Sequence, residues 1–411
     1  MKKLIMLTLM VGSVFYCNAQ LSWLKLPDYP GAGKLGVIGM ALNGKGYMGL
    51  GYSTLGTASN EWYEYNPGTN AWTAMAPLPS VGRWSPAFFT IGSYGYVCTG
   101  AIDGSITNET WRYDPVANSW TRMANVPGPV RINAVGFAIG NKGYVGTGYS
   151  ANTTYNDFYE YDPVSDMWTQ KANLPGLTRS GASGFAIGSK GYLGMGNNTN
   201  STSNFKDFYE YDPATDSWSQ KADFPLPYVV VPTTYASSND GYSLGGYYYQ
   251  YAGITHNPLN MLYKYNQAND EWMLSGTFCG LPRGYAGGFS LSNDMYIGSG
   301  AQRNDASPAS MLTDFWKLTN GLTLRIENPG TYSDFDIYPN PAFETISIDN
   351  SIDGRTMNEL RIYDVSGKFL FRKDLVENMN IIDISTLASG MYFVELASSK
   401  GEVLDSRFIK E

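Results

Sequence analysis

Phe158-Tyr-Glu-Tyr-Asp-Pro163 and Phe208-Tyr-Glu-Tyr-Asp-Pro213 are copies of one segment, and in each the second tyrosine precedes a tryptophan by seven residues, Tyr161 to Trp168 and Tyr211 to Trp218. The same offset joins Tyr65 to Trp72, Tyr113 to Trp120 and Tyr265 to Trp272. A second series runs ahead of the first. Tyr47, Tyr96, Tyr144, Tyr192, Tyr242 and Tyr296 are each followed four residues later by glycine: Gly51, Gly100, Gly148, Gly196, Gly246 and Gly300. Fixed offsets held over five or six copies define a repeat of about 50 residues, which decides the fold before any local propensity does.

Each unit reads as four short strands. In the third unit, residues 134–139 form an apolar run fit for burial on both faces. Residues 141–143 read as a turn and 144–148 as a second strand, whose glycines suit close approach of packed sheets. Residues 158–161 form the third strand, Asp162-Pro163 opens a turn, and Trp168 marks the fourth strand. Four strands per repeat of this length predict the blades of a β-propeller. The sixth unit lacks its tryptophan strand, and Leu21-Ser-Trp23-Leu-Lys25 at the other end supplies a match. Eleven residues after each tryptophan, Trp23 included, stand Lys34, Arg83, Arg131, Arg179, Val229 and Arg283. The N-terminal strand (21–27) is therefore expected to complete the last blade and remove the open edges.

Composition agrees. Of 411 residues, 15% are aromatic and 16% charged, with 46 glycines; the usual charged share is about 25%. Disordered chains are charge-rich and aromatic-poor, so that class is excluded. A net charge of −8 argues against nucleic acid as a partner. The single histidine, His256, removes most histidine-based metal and triad chemistry. No apolar run approaches the length of a membrane-spanning helix. Residues 1–19 read as a signal peptide: Lys2 and Lys3 form its positive region, residues 4–16 its apolar core, and Cys17-Asn18-Ala19 its cleavage site. Maturation at Gln20 leaves Cys98 and Cys279, which the repeat places in distant blades, so no bridge is expected.

The terminal glycine of the second strand, the tyrosine–tryptophan pair and the basic residue entering the first strand together resemble the kelch family of β-propellers over residues 21–320. The family's double glycine occurs only as Gly245-Gly246. Beyond Gly330 the repeats stop. Strands are expected at 345–348, 359–363, 369–371, 380–384, 390–396 and 403–409, the pattern of a small immunoglobulin-like sandwich. Ile337-Tyr-Pro-Asn-Pro341, Ile362-Tyr-Asp-Val-Ser-Gly-Lys368, Asp383-Ile-Ser-Thr-Leu387, Gly390-Met-Tyr-Phe393 and the final Phe408-Ile-Lys410 resemble the type A sorting domain of the type IX secretion system. That resemblance implies a Bacteroidota-type cell and the type IX machinery as a partner of residues 337–411. It further implies passage to the cell surface or the medium. The expected organisation is an all-β chain: signal peptide 1–19, six-bladed kelch-type propeller 20–326, linker 327–336 and sorting domain 337–411.

The entries of the innermost strands lie at one end of the central channel. Lys34, Arg83, Arg131, Arg179 and Arg283 therefore converge on one face, with Val229 breaking the ring. Two readings stay open. The guanidinium groups could meet a carboxylate, sulfate or phosphate ligand, or they could serve the repeat itself by binding carbonyls and acids across blades. Loops 53–60, 101–108, 149–156 and 197–204 on that face are rich in Asn, Ser, Thr, Tyr and Gly. The fifth, 247–260, is longer and carries Tyr248 and His256. Such loops suit a sugar or a peptide. Two histidines would be needed for the copper of galactose oxidase, and no nucleophile elbow is present. No catalytic residue, metal ligand or cofactor is assigned, and no calcium-loop motif is recognised. The expected function is capture of a glycan or protein ligand on the basic, Tyr/Asn-rich face. The alternatives are a metal-free enzyme like the sialic-acid mutarotases, with Asp103 or Asp157 as its carboxylate, and a structural adhesin.

Overall fold

The computed structural model describes residues 20–321, apart from 152, 199–204, 227–228, 238, 251–254, 293 and 305–306. It also describes residues 335–410, apart from 336, 339–341, 350, 353–354, 365–368, 376–378 and 399–402. The expected signal peptide and nearly all of the expected linker lie outside the described residues. The chain divides into a unit Gln20–Gly321 and a C-terminal unit beginning at Leu322. Every described element is a strand; among the described residues there is no helix.

The larger unit contains six four-stranded antiparallel sheets. In the first, the strands from inside to outside are Ile38–Leu42, Lys45–Gly49, Trp62–Asn66 and Ala71–Ala74. In the third they are Val135–Ile139, Lys142–Gly146, Phe158–Asp162 and Met167–Lys171. The innermost strands touch one another in cyclic order, the sixth returning to the first. This is the closed ring of a propeller. As the spacing predicted, the sixth sheet takes its outer strand from the other end of the chain: Gln20–Leu26 pairs antiparallel with Phe315–Gly321, Trp23 facing Leu318. One local expectation moves. The second strand of the third unit is Lys142–Gly146, two residues early at each end: the turn is made at Gly140 and Asn141, and Thr147 and Gly148 take positive φ and leave the ladder.

Two devices seat one sheet on the next. The first is a glycine in each of the first five second strands. A Cβ on Gly143 would lie 2.2 Å from the Phe89 ring of the preceding sheet, and one on Gly191 2.4 Å from Phe137. Glycine there is a socket for the neighbour's side chain, a phenylalanine ring in four sheets and Met40 at Gly95. The second device is the tyrosine–tryptophan pair. Trp120, Trp168 and Trp218 donate Nε1–H to the carbonyls of Ala76, Ala124 and Ala172 in the preceding sheet at 2.8–2.9 Å. Between tyrosine and tryptophan stands an Asn or Asp held in left-handed backbone, as at Asn118, Asp166 and Asp216. Asp166 accepts from its own Tyr161 hydroxyl at 2.7 Å and from the Ala124 N–H at 2.9 Å. A tight turn of one sheet thus holds the outer edge of its neighbour.

In the C-terminal unit, a sheet of Ile337–Tyr338, Thr345–Asp349 and Met379–Asp383 and a sheet of Phe369–Asp374, Glu359–Asp364, Gly390–Ala397 and Val403–Lys410 enclose one apolar core. Ile346, Ile348, Leu360, Ile362, Leu396 and Phe408 are fully buried there. This is a small sandwich, and its long strands fall where alternation placed them.

The closing strand makes the first prediction. Trp23 packs edge-on to Phe278 at 4.7 Å and donates to the Thr277 carbonyl at 3.0 Å. Trp23→Ala should cost about 3 kcal/mol in urea unfolding, as for other packed aromatics. Deleting residues 20–26 should bare the Phe315–Gly321 edge and produce concentration-dependent association in light scattering. Unchanged stability in both variants would show that the ring closes without this strand.

Candidate functional site

The basic residues stand where the spacing put them, one residue before or at the entry of each inner segment, but they do not face solvent. Arg83, Arg131 and Arg179 are 0% exposed, Arg283 1% and Lys34 2%. Each guanidinium is paired with an acid of its own sheet. Arg179 donates to both carboxylate oxygens of Asp207 at 2.8 and 2.6 Å, to the Met195 carbonyl at 3.1 Å and, through Nε–H, to the Leu177 carbonyl at 3.2 Å. Arg283 repeats this with Asp314, both bonds 2.7 Å, and Arg131 with Asp157. Arg83 holds Glu109 at 2.7 Å, and Lys34 pairs with Glu61. Aromatic rings cover several of the cations, Tyr155 over Arg131 and Phe278 over Arg283, both at 4.8 Å. Of the two readings left open by the sequence, this geometry favours service to the repeat. Five buried cations are matched by five acids, because an unpaired charge there would be too costly.

The fifth sheet tests that logic. Val229 replaces the arginine, and Met261 stands where the others carry the acid. Val229 is fully buried in an apolar cluster against which Met261 packs. Cation and anion are absent together, as neutrality requires. The acids carry a signal that the repeat reading passed over. Glu61, Glu109, Asp157 and Asp207 each stand four residues before the tyrosine of the tyrosine–tryptophan pair.

Two backbone belts run around the ring at this end. In the first, each glycine that follows the second strand donates to the carbonyl of the next unit's entry residue: Gly51 to Arg83, Gly100 to Arg131, and so on to Gly300 and Lys34, all at 2.8–2.9 Å. These six glycines have φ of 87–106°, open to glycine and costly for other residues. The second belt lies two residues beyond the basic ring. Ser85 N–H donates to Gly36, Asn133 to Ser85, Gly181 to Asn133, Val231 to Gly181, Tyr285 to Val231 and Gly36 to Tyr285, at 2.8–3.2 Å. All six residues have φ between 48 and 66°. Four of them are not glycine, and a left-handed conformation costs an ordinary residue roughly 1–2 kcal/mol. The β-branched Val231 is the most strained of these by type.

Inside the second belt a cavity of about 130 Å³ opens at the mouth of the channel, lined among others by Ser85, Asn133, Val231 and Tyr285. Among the described residues no charged side chain lines it. The Ser85 hydroxyl, 7% exposed as a residue, has no hydrogen-bond partner among the described residues. Around the mouth stand half-buried Trp84 and Tyr52, rings 5.8 Å apart, and half-buried Tyr149. A larger cavity of about 360 Å³ lies at the opposite end, between the far ends of the inner strands.

The two remaining expected residues lie on the fifth unit's long hairpin. Tyr247–Gln250 pairs with Thr255–Pro258, so that Tyr249 faces His256, and Val229 pairs with Tyr248. The structure therefore brings Tyr248 beside the inner-strand entry at backbone level. Tyr247 is buried; its hydroxyl donates to the Ala301 carbonyl at 2.6 Å, and its ring lies 5.9 Å from Tyr285. The carboxylates considered for acid–base work are engaged: Asp157 by Arg131, and Asp103 by the Ala58 N–H at 2.9 Å. Asp114 and Asp162 cap their own turns at Val116 and Val164. Cys98 is buried and Cys279 exposed, both free; burial pushes the Cys98 thiol up to about 12. Among the described residues, no group of three His, Cys, Asp or Glu could hold a metal.

Comparison with known proteins adds three facts. Residues 336–411 match the secretion system C-terminal sorting domain family. A tail of this kind marks a protein for handling by type IX secretion and export to the cell surface or medium. Among solved structures, that of YjhT superposes with a TM-score of 0.59 at 20% identity, over 71% of this chain and 96% of that one. This likeness is one of fold. Beta-agarase D of Zobellia galactanivorans is 27% identical over 94 residues, 21% of this chain but only 18% of the agarase. Among the described residues no helix is long and apolar enough to cross a membrane.

The ion pairs make two predictions. Arg179→Val alone strands Asp207 and should cost about 3 kcal/mol, the low end for a broken buried pair because Asp207 keeps some contact with water. Adding Asp207→Met copies the fifth sheet and should recover most of the loss, with a coupling of at least about 1 kcal/mol in a double-mutant cycle. Additive losses would refute the pairing. The second concerns acid. Burial works to raise the Glu109 pKa, but hydrogen bonds from Trp111, Ser80 and Arg83 overcome it and hold it at about 2. Asp314 is lowered in the same way by Arg283. An unfolded glutamate titrates near 4.3, so below that pH the unfolded chain takes up protons that the folded one refuses. The stabilisation is present above about pH 4.3 and is lost as the pH falls towards 2. Urea midpoints should decline through that window, less steeply in Glu109→Gln.

Proposed function

We propose that this chain is an exported surface protein whose ring of sheets, read as a six-bladed propeller of the kelch kind, captures a neutral glycan. The ligand lies on the face that carries the channel mouth and the Tyr/Asn-rich loops. The observation that carries this reading is that, among the described residues, the mouth lining holds an amide, hydroxyls and aromatic rings but no charged side chain. A carboxylate or sulfate entering there would lose its hydration without gaining a cation. Aromatic faces and adaptable hydrogen-bonding groups suit the mixed surface of a sugar.

The observations give less support to the alternatives. A sialic-acid enzyme needs a guanidinium for the substrate carboxylate and a free acid or base. The four arginines of the ring are buried and paired, and both candidate carboxylates are engaged. The agarase match spans too little of that enzyme to carry its substrate over. Residues 337–411 would act as the address, and the ring as the cargo that works outside.

A glycan array probed with the full chain tests this. Binding to neutral oligosaccharides should change by less than about twofold between low and high salt, since no charge pairing is screened. Preference for sialylated, uronic or sulfated glycans that weakens with salt would overturn the neutral-face reading. Removing residues 337–411 should hold the protein inside the cell envelope, and its continued appearance in the medium would refute the tail's role.

A further inference from the structure

The second belt is a circle of six backbone positions that all favour glycine, yet the chain places glycine at only two of them. In cyclic order the residues are Gly36, Ser85, Asn133, Gly181, Val231 and Tyr285. The gaps are required by space. A Cβ on Gly36 would come within 2.6 Å of the Ser85 hydroxyl, and one on Gly181 within 3.1 Å of Val231. The other four keep their side chains despite positive φ, and all four line the mouth cavity. Tyr285 also packs on Tyr247, but strain retained at four positions that all line one cavity points to a role for these side chains there.

The order of the side chains says what that is. Positions three apart on a six-membered ring are opposite, so Ser85 faces Val231 across the mouth and Asn133 faces Tyr285. One wall is hydroxyl and amide; the other is apolar and aromatic. The glycine gaps separate them. The Ser85 hydroxyl is buried and has no partner among the described residues, a condition that a ligand hydroxyl would end. The cavity of about 130 Å³ is the share of about four water molecules, room for one edge of a pyranose ring rather than a chain segment.

We propose that the channel mouth is a saccharide subsite that takes one neutral sugar unit edge-on. Hydroxyls meet Ser85 and Asn133, and the sugar's C–H surface meets Val231 and Tyr285. This deepens the glycan reading of the face and rests on it.

Because the backbone at these positions favours glycine, the test variants need not disturb the fold. Ser85→Gly and Asn133→Gly should leave the melting temperature of the full chain unchanged or raised. Each should weaken binding to the best neutral oligosaccharide on the array about five- to tenfold, the worth of one hydrogen bond made in a dry site. Ser85→Ala keeps the Cβ and removes only the hydroxyl, so it repeats the test should glycine loosen the belt. If all three variants bind as the parent does while deletion of residues 248–256 abolishes binding, the mouth is not the subsite and the glycan face stands. If the parent binds no neutral sugar, the reading of the face fails and this subsite with it.

Discussion

The structure depends on a circle of backbone hydrogen bonds. Six N–H groups at the inner edge of six sheets each donate to the carbonyl of the preceding sheet, and the last bond joins Gly36 to Tyr285. Buried backbone groups must find partners, and in an open stack the terminal repeats would leave theirs bare. Here no position is terminal. A second circle, from the repeat glycines to the carbonyls of the basic residues, lies just outside the first. The arginine side chains then fix those basic residues by tying them to acids and carbonyls of the same sheet. Belts, ion pairs and tryptophan clamps are thus successive radii of one arrangement, and the channel mouth is what they leave at the centre.

Much of this was legible because it is periodic. The tyrosine–tryptophan offset, the glycine offset and the entry residues located the sheets, the ring closure and the end of the channel at which the basic residues gather. The offset that made Trp23 a match for the missing outer strand is borne out by its pairing with Leu318. What the offsets could not show was whether the arginines look outward or inward. That follows from acids 26–31 residues away in the arginine-bearing units, as Arg83–Glu109 and Arg283–Asp314. The clue was present in the fifth unit, where Val229 and Met261 lose both charges at once. The strained mouth was illegible for a different reason: Ser85, Asn133, Val231 and Tyr285 share a position but no residue type, and what they share is a backbone angle imposed by neighbours that are distant in the chain.

The same division explains how an acidic protein with a ring of cations can present a neutral site. The repeat's charges are spent in pairs at buried positions, where they fix geometry. The mouth is built from backbone, hydroxyl, amide and ring. The C-terminal sandwich has its own core and its own task as an export tail.

The closing strand has a consequence for the order of events in time. Leu26 must find Phe315 and Gln20 must find Gly321, so the ring joins segments about 300 residues apart. Loop closure over that length costs roughly 5 kcal/mol in chain entropy, and contacts of such separation form late. The strand Gln20–Leu26 therefore has no partner until residues 315–321 have been made. Five sheets can be assembled before the sixth has its outer edge, and the belts remain arcs until then. A chain stopped short of residue 315 would be an open, sticky crescent, whereas one that reaches Gly321 can close, so closure registers that all six sheets are present before the sorting domain is added.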